Sequence, residues 1–267
     1  MRRIAIVTIL GGVLATIAWA QTPTDVRAAI DAGNKARAAF NYDLALSTHS
    51  DVFAYCAAQT DPAFAELGAW ARTEMANDLF AAHRYAQAVT EFEGAAAQAR
   101  PWPKRQYDAL MGLAKAYERT GRRADAISAL DAAAGLTGQT GVGPSELAAA
   151  QSSAGKARVH AAVAQALAGD TSGAKAALTA LTTTYATYEG VTAKARFQYA
   201  CCLVKEGRPF DAMAAFRAVV ALHPDSYLAA RALERLEELR AQYGAQPTSF
   251  ALIKEVRGGL LFISELN

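Results

Sequence analysis

The stretch "AKARFQYACCLVKEGRPFDAMAAFRAVVALHPDS", residues 193–226, carries small and large residues at regular intervals. Ala200 is followed after seven residues by Gly207, after five more by Ala212 and after four more by Phe216. Small residues let two antiparallel helices approach closely, and a glycine between them permits the positive φ of a tight turn. The large residue lies one turn beyond the second alanine on the same face and fills the remaining space. The spacing therefore predicts a helical hairpin.

The same spacing recurs four times upstream. The corresponding sets are Ala162, Gly169, Ala174 and Leu178; Ala114, Gly121, Ala126 and Leu130; Ala76, His83, Ala88 and Phe92; and Gly33, Phe40, Ala45 and His49. The first and fourth copies keep the alanine of the second helix and lose most of the aromatic residues. A lone hairpin cannot bury its apolar face, so neighbouring hairpins must stack to form a core. The sequence therefore predicts a solenoid of about five hairpins.

The rest of the composition is typical of an all-α chain. Alanine is abundant and runs of β-branched residues are scarce. Breakers separate apolar-periodic segments of ordinary helix length, and they lie at Asp61-Pro62, Pro101–Pro103, residues 135–144, Arg208-Pro209 and His223-Pro224. This pattern predicts roughly eleven helices between Thr24 and Tyr243.

Two segments at the end of the chain differ from the repeats. Residues 226–243, "SYLAARALERLEELRAQY", are amphipathic, as expected of a helix that caps the open end of a stack. Residues 244–267 are apolar, and they predict either a short helix followed by a strand after Gly259 or an extended segment. In both cases we expect this tail to pack on another surface.

These residues resemble the tetratricopeptide repeat family. The fifth copy matches its pattern best, through Tyr199, Ala200, Leu203, Ala212, Phe216 and Pro224, and the third carries Leu110, Leu113, Ala114, Tyr117 and Ala126. The resemblance implies an all-α, right-handed superhelix of helical hairpins with a protein or peptide partner on its concave face. The second-helix alanines are 43, 38, 48 and 38 residues apart, against about 34 in the family. This indicates longer helices or inserted loops.

The first twenty residues are typical of a signal peptide. Met1–Arg3 is basic, Ile4–Ala18 is almost wholly apolar, and Ala18 and Ala20 form the small-residue pattern that precedes a cleavage site. A retained anchor is the alternative, but this run is shorter than the roughly 20 apolar residues of a membrane-spanning helix. We therefore expect an exported, periplasmic protein without a stable membrane span, with a repeat domain over residues 21–243.

Charge and chemistry-bearing residues restrict the function. The chain has 27 basic and 25 acidic residues, and loss of Arg2 and Arg3 with the leader leaves 25 of each, which argues against a nucleic-acid partner. The four histidines are scattered, and the glycines of residues 135–144 lack the Gly-Lys-Ser/Thr ending of a phosphate loop. We predict no metal, cofactor or catalytic site. The three cysteines, Cys56, Cys201 and Cys202, are interpreted as free, partly buried thiols.

The family resemblance implies partner-binding positions on the first helix of each hairpin, one step beyond the close-packing small residue. The candidates are Trp70, Asn77, Phe80, Met111, Lys115, Arg119, Lys194, Phe197 and Lys205. Only Asn77 matches the lysine and asparagine set with which the family holds a terminal carboxylate. We therefore expect an internal or folded segment, anchored by aromatic contacts and steered by lysines. The alternative is that Trp70 and Phe80 belong to the core between repeats.

The sequence thus predicts a non-catalytic protein-interaction scaffold in the bacterial cell envelope. Two alternatives remain at this stage. One is a homo-oligomeric spacer that pairs through residues 244–267, and the other is an enzyme acting on cell-wall glycan, although no paired carboxylates stand out from ordinary surface acids.

We predict that the mature protein begins at Gln21, because Ala18 and Ala20 form the site at which a signal peptidase cuts. Intact-mass measurement of the protein from an exporting host tests this. A mass that retains Met1 or Trp19 would contradict export with cleavage.

Overall fold

The computed structural model describes residues 22–136, 138–244, 250–251 and 264–265. Eleven α-helices and two short strands occupy these residues: α1 Pro23–Ala38, α2 Tyr42–Ala57, α3 Pro62–Ala81, α4 Tyr85–Gln98, α5 Pro103–Arg119, α6 Arg123–Ala134, α7 Pro144–Leu167, α8 Thr171–Thr184, α9 Glu189–Lys205, α10 Pro209–Leu222, α11 Tyr227–Tyr243, β1 Phe250–Ala251 and β2 Ser264–Glu265. This confirms the all-α fold. The predicted signal peptide and most of the tail lie outside the described residues.

The chain divides into two compact units, Met1–Gln151 and Ser152–Asn267. In the first unit each of the helices α1 to α6 packs against the next, and α3 also contacts α1 and α5. The first helices of these hairpins therefore lie side by side, and α2 and α4 each pack against two consecutive first helices. In the second unit α9 packs between α8 and α10, and α11 covers α10 and contacts α9. Each unit is a stack of helical hairpins, as predicted.

The turn between the two helices of each hairpin has a positive φ at the predicted position. The angles are 60° at Phe40, 61° at His83, 78° at Gly121, 109° at Gly169 and 72° at Gly207. Glycine adopts this region without steric cost, whereas a residue with a side chain is strained there. Among the described residues only Phe40 and His83 are non-glycine residues with a positive φ. The first two hairpins therefore keep the turn geometry without its usual residue.

The small residues of the repeat lie where the helices of each hairpin meet. Every second-helix alanine is fully buried, and these are Ala45, Ala88, Ala126, Ala174 and Ala212. The large residues four positions later are buried as well, and these are His49, Phe92, Leu130, Leu178 and Phe216. Burying an apolar side chain of this size contributes about 1.5–3 kcal/mol. The repeat spacing is thus the contact pattern of the core.

In the first hairpin, two positions of the repeat pattern differ together from the other copies, because Gly33 and His49 stand where the others have alanine and a large apolar residue. A Cβ atom at Gly33 would lie 2.4 Å from Nε2 of His49, closer than any carbon can approach. The other four copies have alanine at this position and phenylalanine or leucine in place of the histidine. The glycine is therefore required because the histidine ring reaches across the gap between α1 and α2.

Prolines define where several helices begin. Pro62, Pro103, Pro144 and Pro209 are the first residues of α3, α5, α7 and α10. Proline fits this position because the first N–H groups of a helix have no partner within it. The longest separation between second-helix alanines, 48 residues from Ala126 to Ala174, is explained by α7, which has 24 residues, and by the connection before it.

A carboxylate of the protein itself occupies the N-terminus of α7. Glu146 accepts hydrogen bonds from the Ser145 hydroxyl at 2.8 Å and from the Gly143 N–H at 3.2 Å. The Ser145 hydrogen bond, followed by those from backbone N–H groups, lowers the pKa of Glu146. This is the contact by which an acid in the first turn of a helix satisfies the N–H that precedes the helix.

The helix α11 has the features of a cap. Its apolar face, with Leu228, Ala232, Leu236 and Leu239, is buried, and its other face exposes acidic and basic residues. None of the described helices combines the length and the apolar character needed to cross a membrane. Beyond α11, Phe250 pairs with Glu265 and Ala251 with Ser264 in an antiparallel arrangement.

We predict that Ala212→Leu lowers the melting temperature much more than Ala241→Leu. Ala212 is fully buried between helices, where overpacking costs about 1–3 kcal/mol, whereas Ala241 is exposed on α11. Thermal unfolding monitored by circular dichroism measures both variants. Equal shifts would show that Ala212 is not a close-packing position.

Candidate functional site

An open groove of about 270 Å³ lies between α3 and α5 in the first unit. Its lining residues are Trp70, Thr73, Glu74, Asn77, Arg105, Asp108, Met111, Gly112 and Lys115. The groove brings together four of the nine partner-binding candidates, namely Trp70, Asn77, Met111 and Lys115. These residues come from two helices that are separated in sequence by a complete second helix.

Trp70 forms one wall of the groove. The guanidinium carbon of Arg105 lies 4.4 Å from the centre of the indole ring, and Arg105 Nε donates a hydrogen bond to Glu66 at 3.1 Å. Trp70 is half-buried and also packs against a core cluster that includes Ile30 and Leu67. It therefore belongs both to the groove and to the edge of the core, so the two sequence interpretations of this residue are compatible.

Glu74 organises the polar side of the groove. Its carboxylate accepts a hydrogen bond from Trp70 Nε1 at 3.0 Å and one from Asn77 Nδ2 at 3.2 Å. It also forms an ion pair of 2.6 Å with Arg37 of α1. Three donors of the chain thus satisfy this acid. A carboxylate saturated in this way orients its donors and has little capacity left for a ligand.

A buried ion network lies behind Glu74. Arg37 pairs with Asp78 at 2.9 Å, and the other carboxylate oxygen of Asp78 lies 2.6 Å from Nδ1 of His49. The side chains of Asp78 and His49 are fully buried. Nε2 of His49 faces the Ile30 carbonyl oxygen at 3.1 Å, so both ring nitrogens face acceptors. A proton must therefore lie between His49 and Asp78, and removal of either partner leaves a buried polar group that costs several kcal/mol.

The α5 side of the groove offers one unengaged cation. Lys115 is exposed, and none of the contacts in the described part of the chain engages its ammonium group. Asp108 accepts a hydrogen bond from Lys104 at 2.9 Å, so its charge is balanced locally. Met111 is half-buried and supplies a flexible apolar surface. This wall therefore combines an apolar contact with a positive charge.

Phe80 and Arg119 lie away from the groove lining. Both contact Tyr85, since the Phe80 ring meets it edge to face at 5.3 Å and the Arg119 guanidinium lies 5.8 Å from the ring centre. The two residues therefore form a separate cluster at the turn of the second hairpin. The expectation that they share one binding stripe with Trp70 does not match this geometry.

The candidates of the second unit make internal contacts. Lys205 donates to the Ala166 carbonyl oxygen at the end of α7, and Lys194 Nζ lies 2.6 Å from His160 Nε2. Phe197 is only 4% exposed and packs edge to face against Phe216 at 5.3 Å. Its expected role as an exposed anchor needs correction, because the ring fills the space between α9 and α10 and offers almost no surface.

The remaining chemistry-bearing residues are dispersed. Within the described residues there is no group of three or more histidine, cysteine or acidic side chains that could hold a metal ion. Cys56, Cys201 and Cys202 are free thiols. Burial raises the pKa of Cys56 to about 11 and raises the pKa of both other thiols, which suppresses the reactive thiolate.

Comparison with known proteins identifies the repeat. A profile of the tetratricopeptide repeat matches residues 108–134 and 194–226, which are the third and fifth copies. Among solved structures, the nearly identical tetratricopeptide-like repeats of Podosopora anserina, ascribed to a kinesin light chain, share 16% identity over 85% of this chain and 100% of theirs, with a TM-score of 0.50. A substituted form of the same repeats also shares 16% identity, over 84% of this chain and 98% of its own, with a TM-score of 0.50. No curated protein matches the chain.

Two segments of the chain therefore match the tetratricopeptide repeat, and the chain folds as stacks of helical hairpins. At such low identity the solved structures establish the fold alone. Proteins with this fold are generally protein-interaction scaffolds.

The residues behind the groove were not predicted from the repeat spacing. Arg37, Glu74 and Asp78 lie outside the repeat pattern, and His49 was included only as a weak copy of a core position. One signal was present, because Asp78 lies two residues after the close-packing Ala76, within a helix that is buried on most sides. A charged residue in such a helix requires a partner.

We predict that iodoacetamide at pH 8.5 alkylates Cys201 before Cys56 in the native protein. A pKa of about 11 leaves Cys56 almost entirely protonated at this pH, and Cys56 is also buried, whereas Cys201 is half-buried. Mass spectrometry of timed samples measures the order. Labelling in urea is the control, where all three thiols should react equally, and faster native labelling of Cys56 would contradict the prediction.

Proposed function

We propose that this protein is a non-catalytic scaffold, exported to the bacterial cell envelope, that binds a peptide or protein segment in the groove between α3 and α5. One observation carries the proposal. Trp70 and Asn77 from one helix and Met111 and Lys115 from another line the same open groove. The repeat class supplies the general role, and this groove supplies the surface.

The groove suits a segment with both an apolar and an acidic side chain. Trp70 and Met111 provide partly exposed apolar contacts, and Lys115 provides a cation that the described part of the chain leaves unengaged. Aromatic residues surrounded by polar groups are the residues that dominate binding energies at interfaces. Unpaired charge steers association and fixes the register of a ligand.

The first unit is the better candidate for binding. In the second unit Phe197 is in the core and Lys205 holds carbonyl oxygens of α7. Lys194 contacts His160. A ligand would have to displace these contacts, whereas Lys115 needs no such exchange. Export rests on the leader sequence and would place this groove among envelope proteins.

Panning a random twelve-residue phage-displayed library on the immobilised protein tests the proposal. We expect selected peptides to lose about tenfold or more in affinity against Trp70→Ala and Lys115→Glu, as is typical when an interface anchor is removed. Fluorescence polarisation with synthetic peptides measures this loss, and thermal unfolding confirms that the variants are folded.

Lys35→Glu provides the matched control. Lys35 is exposed on α1 and does not line the groove, so the same charge reversal should leave the affinity within about twofold. Peptides that bind both groove variants as well as the wild type would overturn the proposed site.

A further inference from the structure

The groove depends on residues that do not line it. Arg37 and His49 belong to the first hairpin, whereas the groove is built from the second and third. Both residues reach acids on α3 that lie one helical turn apart, Glu74 and Asp78. Such a connection between a hairpin and its neighbour needs an explanation, because most residues at that boundary are apolar.

Arg37 is the central residue of this connection. Its guanidinium group contacts Glu74 and Asp78 together, and it also donates to Asn34 at 2.6 Å and to the Glu74 carbonyl oxygen at 3.3 Å. Two acids spaced by four residues on a helix repel each other. The planar fork of arginine neutralises both at once, which the point charge of a lysine cannot do equally well.

His49 and Asp78 anchor the arginine. The fully buried Asp78 carboxylate is held between the Arg37 guanidinium group and the His49 ring, and the ring is fixed in turn by the Ile30 carbonyl oxygen. Gly33 leaves the space that the ring occupies. The departure of the first hairpin from the repeat pattern thus has a structural purpose, since it places a polar ring where the other hairpins have an apolar side chain.

Glu74 transmits this arrangement to the groove. Its Oε2 atom accepts from Arg37 and from the Asn77 amide, and its Oε1 atom accepts from the Trp70 indole. Without Arg37, the Glu74 carboxylate would lose its only charged partner in the described residues while only 13% exposed. It would then turn towards water, and the indole and amide would lose the acceptor that orients them.

We propose that Arg37, anchored by Asp78 and His49, is a positioning residue that sets the orientation of Trp70 and Asn77 through Glu74. The inference rests on the proposed function, because it concerns the same groove. According to this proposal, the first hairpin influences binding although none of its side chains contacts the ligand.

The indole N–H signals of Trp70 and Trp102 in ¹H–¹⁵N spectra provide the readout, with Trp70→Phe and Trp102→Phe for assignment. We expect Arg37→Met to displace the Trp70 signal, because Glu74 loses the cation that holds its carboxylate, and Glu74→Gln to displace it as well, because the charged acceptor itself is removed. The Trp102 signal should stay in place. A merely structural role of Arg37 would lower the melting temperature without moving the Trp70 signal selectively.

Arg72→Met is the matched control. Arg72 also connects α3 to a neighbouring helix, through Glu91 at 3.0 Å, and its side chain is 25% exposed against 23% for Arg37. It does not line the groove. We expect this variant to leave the Trp70 signal unchanged. Displacement of that signal by Arg72→Met as large as that by Arg37→Met would overturn the proposal.

Two further variants keep the test decisive if Arg37→Met does not fold. Arg37→Lys retains the charge and should give an intermediate displacement, and Glu74→Gln leaves the pair of Asp78 and His49 intact. A Trp70 signal at the wild-type position in folded Arg37→Met would overturn the proposal, and so would one in Arg37→Lys if Arg37→Met does not fold.

Binding of the library-selected peptides separates this inference from the proposed function. If both hold, Arg37→Met weakens binding about five- to tenfold, less than direct removal of Trp70, because it acts through other residues. If the Trp70 signal moves but no peptide depends on Trp70 or Lys115, the proposed function fails and the positioning stands. If peptides depend on Trp70 but Arg37→Met changes neither signal nor affinity, only the inference fails.

Discussion

The close approach of two helices at a buried pair of small residues is the constraint on which this structure depends. It brings the helices together so tightly that the turn between them adopts a positive φ and one large side chain fills the space beyond. A hairpin of two closely packed helices cannot bury its apolar surface alone, so neighbouring hairpins stack. In the first unit this places the first helices side by side. The groove between α3 and α5 is a direct product of that stacking, since Asn77 and Lys115 in its lining each follow a close-packing alanine by one position.

Much of the fold was accessible from the sequence because it depends on local spacing. The spacing of the alanines identified the five turns, three of which carry glycine, and prolines identified the starts of several helices. The division after Gln151 was not predicted. It falls within α7, a continuous helix of 24 residues that carries no breaker at that point. A boundary of this kind depends on contacts between helices that are distant in the sequence. Local sequence patterns carry no information about such contacts.

The site was predicted in part, and the reason differs between residues. Asn77 and Lys115 each follow a close-packing alanine by one position, and Trp70 and Met111 lie seven and four residues before them on the same helices, so helical spacing was sufficient to place all four in one groove. Phe197 has the same repeat position as Met111 but is buried against Phe216, and the repeat pattern does not record this contact between α9 and α10. Arg37 and His49 escaped prediction because their partners are 41 and 29 residues away and belong to another hairpin.

The contact between Gly33 and His49 also restricts how this protein can change over evolutionary time. Alanine at position 33 is blocked while the histidine is present, because its Cβ would meet the ring. Phenylalanine at position 49 is unfavourable while Asp78 is present, because the buried carboxylate would lose a partner. No single substitution leads from this hairpin to the ordinary form of the repeat without an intermediate of lower stability. Positions 33, 49 and 78 therefore constrain one another, and a stable change towards the ordinary repeat has to alter them jointly.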